Sequence, residues 1–180
     1  MHRIEAYVGL AIIFILMISA LYSPILFVLR RKGKSVIRQM SYVGFFCSVF
    51  LIIFATILFV PITFRPENYI LNINPFDWLE NANSMQQFVV EKIPNIILFI
   101  PLGFFVPVVF KNNRKFHKII IISFILTFGV EFFQYFIGRS ADIVDVITNL
   151  FGAVIGYGIF MMFDKVFKST KWWNELLSNH

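Results

Sequence analysis

Six polar residues fall within nineteen positions of an otherwise apolar stretch: Glu131, Gln134, Arg139, Asp142, Asp145 and Asn149. Their types are those of a reactive or binding site. A positioned carboxylate can take up and return a proton. A guanidinium can hold a phosphate or carboxylate through two parallel N–H donors. Two aspartates can share one divalent cation through oxygen ligands. Side-chain amides can orient whatever is bound. Runs of Ile, Phe, Val and Leu frame the group on both sides. A charge in such surroundings is expensive, so it usually has a partner or a task.

Spacing suggests how the group is held. Asp142, Asp145, Asn149, Gly152 and Gly156 are separated by three, four, three and four residues, which is one stripe of a helix. Glu131 and Gln134 are one turn apart on another helix. Gly152 and Gly156 form a small-xxx-small pair that lets a neighbouring helix approach and pack around the polar group.

The elements that carry these residues are those of a membrane protein. Of the 180 residues, 58% are hydrophobic, 14% are charged and 24 are Phe. A compact soluble domain of this size could not hide that much apolar surface. Crossing the hydrocarbon core takes about 20 residues of helix, and several apolar runs are that long. The fold class expected is all-α, a polytopic membrane helix bundle. The net charge of +6 raises the question of nucleic acid. The Lys and Arg residues cluster at the ends of apolar runs, however, where they act as topology signals, so no nucleic-acid partner is expected. Cys47 is the only cysteine, lies mid-span and reads as packing. No Cys/His set suggests zinc.

The chain divides into four parts. Residues 1–64 hold two spans, Tyr7 to about Leu29, with a bend at Pro24, and about Met40 to Phe64. The first reads as a retained span, being too long for a leader's apolar region. Residues 65–92 form a long polar connection whose segment Trp78–Val90 suits a short surface helix. Residues 93–163 hold three spans: about Ile93 to Phe110, Ile119 to about Ile137, and about Ala141 to Phe163. Pro94, Pro101 and Pro107 imply that the first of these is bent or locally unwound. Residues 164–180 form a cytoplasmic tail, expected to be interfacial and then frayed.

Twelve Lys/Arg residues lie in the connections after spans one and three and in the tail. Four lie on the opposite side. The excess marks the cytoplasm, giving five spans, the N-terminus outside and the C-terminus inside. Glu131 then lies about 9 Å below the outer end of span four. Asn95 enters at the same level, with Glu91 and Lys92 just above. The polar group converges on the outer half of the bundle, and the inner halves of spans four and five read as apolar.

Each residue also has a purely structural reading. Asp142 or Ser140 can cap span five. Asp145 can pair with Arg139. Asn149 and Gln134 can join helices by hydrogen bonds. Glu131 at its depth needs a proton or a cationic partner, Arg139 or Lys92. His117 reads as a surface residue.

Taken together the motifs resemble the VanZ-like family. They read N-x3-F-x-P-x-G (Asn95, Phe99, Pro101, Gly103), E-x2-Q (Glu131, Gln134) and G-R-S-x-D-x2-D-x3-N-x2-G-x3-G (Gly138 to Gly156). The likeness covers roughly Lys92 to Phe160, and spans one and two carry no motif that contributes. It implies a multi-pass protein of the bacterial cytoplasmic membrane. The founding member lowers susceptibility to the lipoglycopeptide teicoplanin without the altered peptidoglycan terminus. The family has also been linked, by remote similarity, to membrane enzymes acting on lipid headgroups.

Two readings of the residues follow. In the first the chain is an enzyme acting on a lipid or polyprenyl-linked headgroup at the outer leaflet. Its catalytic set would be Glu131, Arg139, Asp142 and Asp145. Arg139 would hold phosphate and Glu131 or Asp145 would act as base. Asn95, Gln134, Ser140 and Asn149 would bind substrate, and a divalent cation on Asp142 and Asp145 is an option. In the second the same residues bind or shield a lipid-linked precursor without catalysis. A transporter ranks below both, for want of a polar path through the inner half.

Overall fold

The computed structural model describes residues 2–33, 35–58, 71–76 and 84–177. They form a helix bundle. Helix α1 (His2–Arg31) leads to α2 (Val36–Ile53), which continues as a π-helical turn, Phe54–Leu58. Strand β1 (Leu71–Asn72) precedes α3 (Ser84–Val109). A 3-10 turn, Lys111–Asn113, leads to α4 (Phe116–Phe136). Strand β2 (Ala141–Asp142) runs directly into α5 (Ile143–Phe167), and α6 (Lys171–Leu177) follows.

Four helical segments among the described residues are long and apolar enough to cross a membrane: Val36–Ile57, Val89–Val109, Phe116–Phe136 and Ile143–Phe167. The remaining expected span, Tyr7 to Leu29, lies within α1, a helix of 30 residues. Tyr22 of α1 donates a 2.7 Å hydrogen bond to Gln39 of α2. Lipid-type residues such as Leu16, Leu21 and Ile25 on α1 are exposed.

Three expectations change. Of the two options for span three, bent or locally unwound, the unwound one falls away: it is one continuous helix through Pro94, Pro101 and Pro107. Of the surface helix expected over Trp78–Val90, Ser84–Val90 forms the first turns of α3. Trp78–Asn83 lies outside the described residues, as do residues 59–64 at the end of span two. The C-terminal segment is a docked helix. Trp173 is buried against Val108 and Phe160, and its indole N–H donates to Asp164 at 2.9 Å.

The core is the α3–α5 interface, and glycines set its closeness. A Cβ on Gly152 would run into the Ile96 carbonyl, and one on Gly156 into that of Ile100. From the other side, a Cβ on Gly103 would strike the Ala153 carbonyl. The small-xxx-small stripe therefore packs α5 on α3, backbone against backbone. Phe99, Leu102, Val106, Ile119, Val130 and Ile52 fill the space between α2, α3 and α4.

At the end of α3 the Phe110 N–H bonds back to the Val106 carbonyl at 2.9 Å, and the carbonyls beyond it take side-chain donors. Arg38, only 6% exposed, supplies the donors from α2. Its guanidinium reaches the carbonyls of Val108 (2.8 Å), Val109 (2.6 Å) and Leu176 (2.7 Å). Arg114 takes those of Pro107 and Leu177, each at 3.0 Å. Two arginines thus satisfy the last carbonyls of α3 and tie α6 to the same end of the bundle.

The other end is shaped by the α4–α5 turn. Gly138 at φ 84 stops α4. The Arg139 N–H bonds to the Gln134 carbonyl (3.0 Å) and the Gly138 N–H to that of Tyr135 (3.2 Å). This is a Schellman ending, for which glycine is the natural residue. Beyond it, β2 pairs in parallel with β1, Leu71 opposite Ala141 and Asn72 opposite Asp142. Leu71 and Asn72 of the polar connection therefore pair with the start of α5, which the helix-only reading of the sequence did not contain.

Candidate functional site

Each polar residue is aimed by a local rule. Asp142 is the N-cap of α5, in extended conformation, and its carboxylate accepts from the Val144 N–H at 2.9 Å. Of the two caps considered for span five, Asp142 fills the role. Ser140 stays exposed at the rim. Asp145, Asn149 and Gly152 follow down the same stripe of α5, toward α3 and α4. From α4 come Glu131 and Gln134, both buried.

Lys92 of α3 is the centre of the ionic group. Its ammonium lies 2.7 Å from a carboxylate oxygen of Asp142 and 2.7 Å from one of Asp145. The amide of Asn95, one turn on, donates to that same Asp145 oxygen at 2.9 Å. Asp145 thus pairs with Lys92, not with Arg139 as the sequence suggested. The reason is reach. Lys92 and Asn95 project from the helix that the glycine stripe brings against α5, whereas Arg139 leaves the turn toward α2.

Arg139 finds a backbone partner there. It donates to the Thr56 carbonyl at 2.9 Å, and Gln134 donates to the same oxygen at 3.0 Å. Thr56 lies in the π-helical turn that ends α2. A widened turn changes the helical bonding pattern and is a recurrent feature of functional sites. The Thr56 hydroxyl turns back to the Ile52 carbonyl at 2.6 Å. Only one of the five N–H donors of Arg139 is engaged in this bond.

Glu131 is 6% exposed. One carboxylate oxygen accepts the Asp142 N–H at 3.1 Å, which ties α4 to the start of α5. Neither Arg139 nor Lys92, the cations weighed for it beside the protonated form, hydrogen-bonds to it; a backbone N–H does. Below, the Asn149 amide donates to the Thr127 hydroxyl at 2.7 Å, across the α4–α5 interface. The Asn149 side-chain amide oxygen is buried and has no hydrogen-bond partner among the described residues. Thr127 and Ser123 are wholly buried in α4. They correct the reading of that helix's deeper half as apolar.

These side chains surround one cavity of about 450 Å³. Asn95, Glu131, Gln134, Arg139, Ser140, Asp142, Asp145 and Asn149, all the candidates read from the sequence, line it. Thr56, Lys92 and Glu91 complete its polar wall. A purely local reading of motifs missed Thr56, because its contribution is a backbone carbonyl. Lys92, weighed in the sequence as a partner for Glu131, bonds instead to Asp142 and Asp145.

The arrangement argues against a cation on Asp142 and Asp145. The Lys92 ammonium already sits between the two carboxylates at hydrogen-bond distance from both. Among the described residues no cluster of three or more His, Cys, Asp or Glu side chains could hold a metal ion.

Comparison with known proteins identifies the family. Residues 6–164 match the VanZ/LLP1 family. The chain belongs to that family. Protein VanZ of Enterococcus faecium is 30% identical over 136 residues, covering 74% of this chain and 78% of that protein. The family match extends well beyond the motif-bearing part, across α1 and α2, where the sequence offered no motif. No solved structure matches the chain. The protein is thus a VanZ/LLP1 membrane-helix protein whose acidic, amide and guanidinium residues gather at one end of the bundle.

Proposed function

We propose that this VanZ/LLP1 protein acts on the polar headgroup of a lipid or lipid-linked cell-wall precursor, and so lowers susceptibility to lipoglycopeptides such as teicoplanin. The observation that carries the reading is the single cavity: eight candidate residues from α3, α4, the α4–α5 turn and α5 line it together. The asymmetry of Lys and Arg supports five spans, an external N-terminus and a bacterial cytoplasmic membrane setting. The cavity then faces the outer leaflet. The opposite end, closed by Val108, Phe160 and Trp173, offers a transporter no evident path.

In this reading Arg139 receives an anionic oxygen. It is held in place by Thr56 and keeps donors free for a ligand. Glu131 is the proton acceptor. One of its oxygens is fixed by the Asp142 N–H and the other is left for the cavity. Lys92 and Asn95 hold Asp145 in place, while Gln134 and Asn149 orient the headgroup. Asp142 serves more as cap and ion partner than as a reacting group.

A second reading, a non-catalytic binder, gains support from the same ion pairs. Both aspartates are already held by the one Lys92 ammonium, as a rigid recognition surface requires. The two readings part at Glu131. Teicoplanin susceptibility would be measured in a sensitive host making equal amounts of each variant, quantified in the membrane fraction. Alanine at Glu131, Arg139 or Asp145 should abolish the effect under either reading. Glu131→Gln should abolish it for an enzyme and leave most of it for a binder. Full effect in all three alanine variants would remove the cavity from consideration.

A further inference from the structure

A second cavity, of about 490 Å³, backs onto the polar one. Its character is opposite. Phe128, Phe132 and Phe136 of α4, Ile143 and Val146 of α5, and Leu71 of β1 line it. The two cavities share two wall residues, Glu131 and Asp142, the pair joined by the 3.1 Å bond across the turn.

We propose that this groove seats an acyl chain of a membrane phospholipid whose head lies in the polar cavity, an inference that rests on the headgroup reading above. The site is then bipartite, with the Glu131–Asp142 bond as the divide between head and tail. Three observations carry it. The volumes, about 490 and 450 Å³, each fall in the range of small-molecule sites, roughly 300–1,000 Å³. The α4 phenylalanines of the groove are more than half exposed on a membrane span, so bilayer acyl chains already surround them. Leu71 of β1 and Ile73 just after it, 65% and 73% exposed, lie at the groove's rim. Asx turns at Asn72 and Asn74, each with a 3.1 Å bond to the backbone two residues on, fix that rim in place.

A chain that moves from bilayer to groove exchanges one apolar environment for another, so it gains little from burial. The groove's contribution is orientation. It fixes the direction from which the head approaches Arg139 and Glu131. A test must therefore read position. The full chain would be reconstituted in phosphatidylglycerol–phosphatidylethanolamine vesicles with a trace of phosphatidylglycerol carrying a mid-chain diazirine. After illumination, adducts would be mapped by peptide mass spectrometry.

Phe132 and Phe133 make the internal comparison. They are adjacent, 51% and 57% exposed, and only Phe132 lines the groove. Labelling at Phe132, Phe136 and Ile143 is expected to exceed that at Phe133 and Ile147 at least fivefold. Ile143→Trp should bring it down to the Phe133 level. Phe132→Trp, at a lipid-facing position that tolerates bulk, serves as the second groove-filling variant. Even labelling of Phe132 and Phe133 overturns the proposal, as does labelling only by a diazirine polyprenyl phosphate run in parallel. The readout needs no activity. Even labelling with inactive Asp145→Ala would sink the groove alone. Groove labelling with fully active Asp145→Ala would sink the headgroup reading alone.

Discussion

Replacing Lys92 by Met asks whether the ionic trio holds the cavity end of the bundle together. Met preserves the length and most of the apolar stem but removes the ammonium. The Lys92 side chain is 10% exposed, and those of Asp142 and Asp145 are 17% and 24% exposed. All are well below a third, so water screens the pairs weakly. Removing one partner of a buried ion pair costs about 3–5 kcal/mol, because the other charge is left unpaired. The residual exposure of the aspartates places Lys92→Met at the lower end, about 3 kcal/mol. For a chain of this length each kcal/mol moves Tm by about 2–4 °C, so the expected loss is about 6–12 °C.

The assay is the melting of detergent-solubilised protein followed by fluorescence-detected gel filtration. Lys92→Met/Asp142→Asn/Asp145→Asn supplies the control. It removes both orphaned charges, and Asn still caps a helix about as well as Asp. Buried ion pairs replaced as a set are often neutral to stability. The triple variant should therefore recover most of the loss while Lys92→Met alone does not. A Lys92→Met protein that melts with wild type would refute the reasoning, because the two aspartates would then need no cation.

Gly152→Val should force α5 away from the Ile96 carbonyl and cost about 1–3 kcal/mol or more, since backbone cannot yield as a side chain can. Gly158→Ala, where nothing lies within 4 Å, should be neutral or slightly stabilising in the same melting assay. Arg38→Met should leave the Val108, Val109 and Leu176 carbonyls without their cation, each such bond being worth about 1.5–3 kcal/mol. It should also speed tryptic cleavage at Lys168 and Lys171 by undocking α6, which limited proteolysis would reveal.

Much of this site was legible because its residues follow helical arithmetic. Asp142, Asp145, Asn149, Gly152 and Gly156 are on one stripe by spacing alone, and the glycines meet α3 as small-xxx-small pairs do. Glu131 and Gln134 could be placed beside them by one turn of helix. What sequence could not supply were partners chosen by backbone. Thr56 enters through a carbonyl in a π-turn, which leaves no mark in side-chain pattern. The exchange of Arg139 for Lys92 as partner of Asp145 depends on the angle at which Arg139 leaves the Gly138 turn. Likewise β1 is two residues long, too short for any alternation to register. Arg38 was read as a topology charge, since nothing local distinguishes a loop arginine from one that caps a distant helix. The prolines of α3 pointed to a bend or an unwound stretch, and the helix runs on without the unwound stretch. The carbonyls they free can be accommodated in a helix packed on three sides without any visible break.

The two ends of α3 carry different burdens. At its N-terminal part, Lys92 and Asn95 hold acidic groups whose desolvation costs stability. At its C-terminal end, Arg38, Arg114 and Trp173 satisfy carbonyls and bury an aromatic cluster, which offsets that cost. Sixteen residues of helix separate Lys92 from Val108, about 24 Å. Sites so far apart, with no shared partner, should behave independently, so Lys92→Met and Arg38→Met are expected to add within about 0.5 kcal/mol. Strong coupling between them would mean that the ionic trio and the arginine clasp are two positions of one rigid unit. In that case α3 would transmit changes in the cavity to the docked C-terminal helix. Additivity would mean instead that the cavity can be altered freely while the clasp keeps the bundle folded, the condition under which cavity variants report on chemistry alone.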